Sequence, residues 1–438
     1  MVRSASPMLG GILLLAGVNL VHADGLYAPD ASSDMSVWPA TYGVFSRVPE
    51  NWSDLPFHLQ LEERTGYNSN VINTPQTSTG GVTVFGHPVG SLVSISSFGA
   101  TTTAYWEGQQ FFANGALGMY RYSEAPSLNS MSHSLNVGDR WTYGSKCSGQ
   151  LIASERTSPA EVGQQVGFNV QNSVTAVALN ETAKCVVTGN YALLLNSGLT
   201  SSTNSAALDK FNDYRSVFIE AGISYSVSET NSLQFLASVT GTDYSNRSSA
   251  SNDMGLSSNI VEDELDLSYT KNLSPDLAVT ASVGLIGARN GSFSLEPAKG
   301  FQPIYSAQVS WAATPKLKLT GAFVHNVSPP TSILANLEVS ETANFGLTYA
   351  LTPKVTLAAG VSTTRSSGFG GSSEILAGNS ILQQFAQNER VYSANASLNY
   401  AITPFVAANV SYTHTSVEQS GFMTPTDVVL VALSFSPH

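Results

Sequence analysis

The stretch that decides the fold reads YSAQVSWAATPKLKLTGAF and covers residues 305–323. Its first half alternates apolar and small polar residues and ends at Trp311, and a second alternating segment begins at Leu317, after the Pro315 turn. A period of two places apolar side chains on one face of a β-strand and polar side chains on the other. The stretch therefore predicts two antiparallel strands that separate an apolar from a polar environment.

The same pattern occurs four times within residues 264–412, each time with a Ser-Pro or Thr-Pro turn. The strand before each turn closes on an aromatic residue, as does one earlier strand. These residues are Tyr225, Tyr269, Trp311, Tyr349 and Tyr400. A soluble sandwich has no reason to repeat an aromatic residue at one end of every second strand, whereas a membrane barrel places such rings at a lipid interface. We therefore predict an all-β fold, a transmembrane up-and-down antiparallel β-barrel with a periplasmic aromatic girdle.

Extending the alternation in both directions gives about 18 strands between Phe57 and Phe435, an even number as in bacterial single-chain barrels. Short connections follow even-numbered strands and long ones follow odd-numbered strands. We expect the short turns and both termini to face the periplasm. The alternation is weakest for strands six and seven, which we place at residues 173–183 and 185–196, and the last strand is placed at residues 427–435.

The N-terminus has the features of a secretory signal. Arg3 precedes an apolar run at residues 9–21, and Ala23 completes a small-residue cleavage site. We expect a signal peptide at residues 1–23, a periplasmic N-terminal segment at 24–56 and the barrel at 57–438. The segment 24–56 either tucks into the barrel mouth or forms a disordered tail.

Composition supports a barrel and excludes one class of partner. Only 11% of the 438 residues are charged, compared with about 25% in a typical soluble domain. A net charge of −12 argues against nucleic acid as a partner. The predicted location is the Gram-negative outer membrane, reached through the periplasm. The expected partners are outer-membrane lipid, lipopolysaccharide and the barrel assembly machinery.

The chain has two cysteines, Cys147 and Cys185. The predicted strand map puts them on strands five and seven, about 9–10 Å apart. A disulfide needs Cα atoms within about 7 Å, so the pair forms only if the turns lean together. The oxidising compartment favours the bond and the ideal geometry does not.

The predicted inward faces are mostly Ser, Thr, Gly, Asn and Ala, with local charges. An acidic row on strand ten consists of Glu262, Glu264 and Asp266. A basic side on the early strands consists of Arg64, Arg121 and Arg140, and two further lysines, Lys316 and Lys318, lie near the periplasmic end of strand thirteen. The lumen-lining candidates are Arg64, Glu220, Glu264, Asp266, Lys316 and Lys318. Such charges either select solutes through a transverse field or stiffen the wall as salt bridges.

Catalytic chemistry has little support in the sequence. There is no Gly-x-Ser-x-Gly elbow, no His-Glu-x-x-His motif and no Cys/His cluster with metal-ligand spacing. His325 and His414 fall near outer strand ends, where abundant Ser and Thr make chance proximity the better explanation. We predict no enzyme, no catalytic residue, no cofactor and no metal.

Several motifs resemble those of a family of outer-membrane β-barrel porins. The first strand ends in the sequence YNSNV at residues 67–71, similar to the family's Tyr-Asp-Ser-Asn-Val/Phe, and the Thr-Pro-Lys turns at Thr314 and Thr352 resemble its recurrent hairpin. The sequence departs from the family at Asn68, where an acidic residue is usual, and by ending on His438 instead of an aromatic residue. The resemblance implies a link to exopolysaccharide or capsule export and no catalytic residues.

These observations predict a channel for a secreted polysaccharide or small polar solutes, served by periplasmic export components. The alternative is a structural or adhesive barrel with a plugged lumen, in which the extracellular loops carry the function.

Overall fold

The chain forms one closed antiparallel β-barrel of 18 strands. The computed structural model describes residues 57–71, 89–159, 172–205, 209–247, 258–290, 301–328, 337–369, 388–419 and 422–436. Each strand pairs with its neighbours in sequence, and β1 closes the sheet against β18 from Leu61 opposite Phe435 to Asn68 opposite Val428. The predicted all-β, up-and-down barrel is confirmed.

The strands run as follows, in chain order: β1 Phe57–Asn68, β2 Ser91–Trp106, β3 Gln109–Tyr122, β4 Ser130–Tyr143, β5 Cys147–Pro159, β6 Ser173–Thr188, β7 Tyr191–Asn204, β8 Tyr214–Ser228, β9 Asn231–Asp243, β10 Asn259–Ser274, β11 Leu277–Asn290, β12 Gln302–Thr314, β13 Leu317–Ser328, β14 Leu337–Thr352, β15 Val355–Phe369, β16 Asn388–Ala401, β17 Val406–Gln419 and β18 Phe422–Phe435. Two short 3₁₀ turns, Pro126–Leu128 and Asp209–Asn212, lie in the connections. Among the described residues, no helix is long and apolar enough to cross a bilayer.

The repeated Thr-Pro turns are held by the threonine side chain. Thr314 Oγ1 accepts hydrogen bonds from the backbone N–H groups of Lys316 at 3.2 Å and Leu317 at 3.0 Å. Thr352 and Thr403 accept the equivalent pairs at 3.0 to 3.2 Å. These N–H groups lie in the turn or on the first residue of the next strand, where the threonine hydroxyl accepts from both. The sequence repeat is therefore a repeated local structure.

The two ends of the barrel differ. At one end, here called the turn end, even-numbered strands lead into tight turns, such as the one at Glu107 and Gly108, which both have positive φ. Two consecutive positive φ angles match the twist of a two-residue hairpin. The opposite end, here called the loop end, carries the longer connections, although β17 and β18 are joined there by only residues 420 and 421. Strand β1 begins and β18 finishes at the turn end.

Strands β6 and β7 do not lie where the sequence placed them. The predicted turn at residues 183–184 is wrong, because β6 continues to Thr188 and the chain turns at Gly189 and Asn190. A Gly-Asn pair is a strong signal for a tight turn, stronger than the Ala183-Lys184 pair at which the turn was predicted. The last strand also starts earlier than predicted, at Phe422.

The shift of this turn changes the geometry of the cysteines. Cys185 lies on β6 instead of strand seven, directly opposite Cys147 on the neighbouring β5. The two residues form a disulfide with a Cα–Cα distance of 4.1 Å. The predicted separation of two strand spacings is therefore wrong, because adjacent antiparallel positions bring the Cα atoms together.

Two small clusters of buried apolar residues lie at the loop end. One consists of Tyr244, Ile260, Ile286, Ile304 and Val327. The other consists of Val71, Ala125 and Leu128 and joins the β1–β2 and β3–β4 connections. The predicted signal peptide at 1–23 and the segment 24–56 lie outside the described residues.

Candidate functional site: the wall of the lumen

The two faces of the sheet have different chemistry. Apolar side chains point outward and are exposed, for example Val361 at 55% and Phe345 at 49%, which lie directly opposite each other on β15 and β14. The alternate positions on the same strands, such as Ser362 and Asn344, point inward. This arrangement is the one expected when lipid surrounds the barrel and polar groups line its interior.

Hydroxyl and amide pairs connect the strands along the inner wall. Ser282 and Ser306 Oγ lie 2.7 Å apart across β11 and β12, and Asn409 Nδ2 donates to Asn399 Oδ1 at 2.7 Å across β17 and β16. Further inward pairs are Thr270 with Thr280, Thr342 with Thr364, and Ser216 with Thr242, each at 3.2 Å. Cross-strand pairs of this kind stabilise a sheet and leave neutral hydrogen-bonding groups facing the interior.

The strand number sets the width of the barrel. Eighteen strands spaced about 4.8 Å apart and tilted by about 40° give a backbone diameter of about 36 Å. Barrels of about 16 to 18 strands leave room for an aqueous channel unless another segment fills it.

Acidic side chains gather on one part of this wall. Glu262, Glu264 and Asp266 share the inward face of β10. Glu220 on β8 lies in the same cross-strand row as Glu264, with Ser238 of β9 between them. Glu262 and Asp266 are each only 3% exposed, and the Glu262 carboxylate has no hydrogen-bond partner among the described residues. Asn196 of β7 donates a short hydrogen bond to Glu220. The structure thus brings together three of the six predicted lumen candidates.

Arg64 also points inward, but it is part of an ion pair. Its Nε lies 2.7 Å from Glu62 Oε1, two residues earlier on the same face of β1, and the residue is 5% exposed. Strand β1 is nine strands from β10, half the circumference. Arg64 therefore faces the acidic wall as a largely neutralised pair.

Two predicted basic positions are corrected. Arg121 shares the outward face of β3 with Leu117 and Met119, so it does not line the lumen. Lys316 lies in the turn before β13, where its backbone N–H donates to Thr314. The predicted starts of these two strands, Gln109 and Leu317, agree with the structure, so the errors concern the two side chains and not the strand bounds. Lys318 points inward and is exposed, near the turn end.

The structure adds inward cations that the sequence analysis missed. Arg156 on β5 and Lys184 on β6 lie on inward faces. Arg140 on β4 is inward, as predicted, with its guanidinium 5.1 Å from the Phe112 ring. If the turn had been predicted at Gly189-Asn190, alternation along β6 would have placed Lys184 on the inward face. Arg140, Lys184 and Lys318 thus lie toward the turn end, whereas Arg156 lies toward the loop end, as do most of the inward carboxylates.

One further arginine closes the loop end beside the acidic wall. Arg247 follows β9, is 2% exposed, and places its guanidinium 3.8 Å from the Tyr244 ring centroid. Its Nη2 donates to Asn212 Oδ1 at 3.4 Å, which ties two connections together. Burial lowers the pKa of the Arg247 guanidinium. In the described parts of the chain, no three His, Cys, Asp or Glu side chains are placed to hold a metal ion.

The five aromatic residues predicted to form a girdle all point outward near the turn end. Tyr269, Trp311 and Tyr400 are 40 to 45% exposed, and Tyr225 stacks on Tyr191 of β7 with ring centroids 4.7 Å apart. Tyr349 lies opposite Leu317, the first residue of β13. Their shared level agrees with an interfacial ring.

The two histidines weighed for catalysis lie on the outward face, away from the lumen. His325 Nδ1 is 3.2 Å from Glu341 Oε1, and its ring stacks on Tyr305. His414 Nδ1 is 2.8 Å from Asp427 Oδ1, which also accepts a hydrogen bond from the Tyr412 hydroxyl at 2.7 Å. The structure therefore does not bring either histidine to the acidic wall.

Comparison with known proteins gives a partial family match. Residues 272–435 match the family model "Putative beta-barrel porin 2". No curated protein sequence matches the chain significantly. The match covers β11 to β18, which contain three of the four Pro-turn hairpins.

Solved structures match most of the chain at low identity. The FrpB iron transporter from Neisseria meningitidis is 10% identical, with a TM-score of 0.44; the match covers 84% of this chain and 63% of FrpB. The ferric enterobactin receptor PfeA from Pseudomonas aeruginosa is 9% identical, with a TM-score of 0.45 and coverage of 87% and 80%. The outer membrane protein opdK from the same organism is 11% identical, with a TM-score of 0.44 and coverage of 87% and 99%. The chain thus spans less than two thirds of the length of FrpB. Residues 272–435 are similar to porin-like outer-membrane barrels, and the closed 18-stranded sheet has the architecture of that class.

Proposed function

We propose that this protein is a channel of the Gram-negative outer membrane that passes a secreted polysaccharide or small polar solutes. The observation that carries the proposal is the inner wall of β11 to β17, where paired hydroxyl and amide groups such as Ser282 with Ser306 and Asn399 with Asn409 face the interior. Neutral donors and acceptors of this kind exchange hydrogen bonds with sugar hydroxyls without holding them tightly, which conduction requires.

The two mouths of the proposed channel carry different charges. Short turns face the periplasm in barrels of this class, so the inward cations Arg140, Lys184 and Lys318 would surround the periplasmic mouth. Periplasmic export components would deliver the polymer there, and barrel assembly machinery would insert the protein after signal-peptide cleavage. The acidic wall lies toward the outer mouth, where it would favour cations over anions among small solutes.

The alternative is a barrel with a plugged lumen whose loops act as a structural or adhesive surface. One observation favours it: inward side chains near the loop end of β9 and β10, including Thr240, Thr242 and Glu262, are only 2 to 3% exposed. Inward residues of β14 to β16, such as Ser362 and Asn395, are half-buried by comparison. Inward residues near the loop end of other strands, such as Ser202 of β7 at 3% and Ser393 of β16 at 6%, are buried as well, so the lumen is shielded on several sides at this end.

Single-channel recording separates the two functions. The refolded protein is inserted in a planar bilayer and recorded with and without neutral oligosaccharides. Conductance steps that oligosaccharides block support the channel. If heat-modifiable mobility on gels shows that the barrel is folded, and the folded barrel gives no conductance steps, the result contradicts the channel function and supports the plugged alternative.

A charge variant tests the role of the acidic wall. Replacing Glu264→Gln together with Asp266→Asn should move the reversal potential in a salt gradient toward zero, because two of the carboxylates that attract cations are neutralised. Glu155→Gln is the matched control, since Glu155 lies on the outward face of β5. Equal shifts in the two proteins would show that the acidic wall does not contact the ion path.

A further inference from the structure

Five titratable or charged side chains lie side by side on the outward face at the loop end. One comes from each of β13 to β17, and each lies directly opposite the next across the sheet. In order they are His325, Glu341, Arg365, Arg390 and Glu418. We call these residues the outward charged row. Charged side chains on the outer face of a membrane barrel are costly near the midplane and tolerated near an interface, so such a row needs an explanation.

The two arginines at its centre lie side by side, with Glu341 opposite Arg365 and Glu418 opposite Arg390 on their other sides. Glu341 is engaged by His325, with 3.2 Å between Oε1 and Nδ1. Arg390 Nη1 is 3.8 Å from Glu418 Oε2, with both side chains substantially exposed. Arg365 lies opposite Arg390 and makes no ion pair or hydrogen bond with the part of the chain that the structure describes. Like charges directly opposite each other destabilise a sheet, which an anion bound between them would reverse.

The arginines lie at the level expected for the outer interface. Arg390 is ten residues from the girdle residue Tyr400 on β16, and Arg365 is ten residues from Val355, which lies opposite Tyr400. At about 3.3 Å per residue and a tilt of about 40°, ten residues rise about 25 Å, the height of the apolar band of an outer-membrane barrel. The arginine pair therefore lies at the headgroup level of the leaflet at the loop end.

An apolar groove of about 480 Å³ begins directly below the pair on the same outward face. The rings of Phe345 and Tyr392 flank it, and the small side chains of Ala343, Thr363 and Ala394 leave space between them. Thr363 and Tyr392 are each two residues below an arginine, on its own strand. The cationic pair and the apolar groove therefore form one continuous surface.

We propose that Arg365 and Arg390 bind a phosphate of a multiply acylated glycolipid in the outer leaflet, whose acyl chains lie in the groove. The planar guanidinium groups supply paired donors that match phosphate oxygens. The groove supplies the apolar contact, and its position below the arginines sets the order of headgroup and chains. This site does not depend on whether the lumen conducts.

The test uses the full chain refolded in detergent and titrated with bisphosphorylated lipid A, with bound lipid counted by native mass spectrometry. Replacing Arg365→Gln and Arg390→Gln together should raise the Kd at least roughly tenfold, because two charge-assisted contacts are lost. Arg215→Gln is the matched control. Arg215 is also an outward arginine near the loop end, beside an apolar groove, but it has no second arginine opposite it, because its cross-strand neighbours are Ser201 and Asp243. The control should keep the wild-type affinity.

Two further measurements identify the ligand. Ala394→Trp fills the groove and leaves both arginines in place, and it should weaken lipid A binding while the protein stays heat-modifiable. Inorganic phosphate and lipid A stripped of its phosphates should each bind far more weakly than intact lipid A. An unchanged Kd in the double arginine variant, or equal binding of stripped lipid A, would overturn the phosphate contact. Competition by inorganic phosphate at the lipid's own concentration, or an unchanged Kd in Ala394→Trp, would overturn the glycolipid.

Discussion

Placing the same arginine side chain on either face of β16 tests the assignment of the two faces. Ala396 points outward and is exposed, opposite Ala359 and Tyr412, whereas the next residue, Ser397, points inward. Ala396 is four residues from the girdle residue Tyr400. Four residues rise about 10 Å along the barrel axis, which is close to the midplane of an apolar band about 25 Å tall.

The expected cost differs sharply between the two positions. Ala396→Arg places a guanidinium in hydrocarbon near the midplane and should lower the free energy of unfolding by about 2–4 kcal/mol. Ser397→Arg places the same group on a polar inner wall and should cost about 0.5 kcal/mol or less, the range of ordinary surface substitutions. Both changes start from small residues, so the added volume is similar.

Denaturant titration of the barrel in lipid vesicles measures both values. Unfolding is followed by tryptophan fluorescence, with refolding used to establish reversibility and equal m-values used to confirm comparable transitions. Equal losses, or a larger loss for Ser397→Arg, would show that lipid does not contact the face carrying Ala396, and the membrane orientation of the whole sheet would be wrong.

Three further substitutions test individual structural contacts. Replacing Cys147→Ser and Cys185→Ser should lower the free energy of unfolding by up to about 4 kcal/mol, from the loop-closure entropy of the 38-residue separation, and reducing agent should reproduce the loss in the wild type but not in the variant. Thr352→Ala should cost about 1 kcal/mol in the same titration, because its hydroxyl caps two turn N–H groups; no loss would show that water replaces the cap. Gly66→Ala should cost about 1–3 kcal/mol, since an added Cβ would meet the backbone oxygen of Val429 at the β1–β18 closure, whereas Gly241→Ala meets nothing within 4 Å and should be neutral; equal effects would mean that the closure is loose.

The sequence predicted the strands best where the turn chemistry was local. The hairpins at Thr314, Thr352 and Thr403 carry their own signal, because one hydroxyl and one proline determine where the chain reverses. The boundary between β6 and β7 was wrong because the alternation continues past Ala183 and the deciding Gly189-Asn190 pair was overlooked. One misplaced turn then moved Cys185 to another strand, since strand identity is counted from turn to turn.

The face of a lumen candidate was predictable from its own strand, but its neighbours on other strands were not. Glu264 and Asp266 were placed on the inward face because alternation along one strand is a local property. The relation of Glu264 to Glu220 was not visible, since it depends on the register of β8, β9 and β10. Arg121 was misassigned although the bounds of β3 were predicted correctly, because it shares the face of Leu117 and Met119, which point outward.

The outward charged row shows most clearly what alternation leaves undetermined. A period of two assigns Arg365 and Arg390 to the same face of the barrel, but the two residues belong to different strands joined by a long connection. Only the register of β15 against β16 places them directly opposite each other. Two arginines held directly opposite each other repel, and a phosphate bound between them would offset that repulsion. The proposed phosphate contact would give the outer face a specific lipid site in place of a uniform apolar belt, and lipid A titration of the double arginine variant distinguishes the two descriptions.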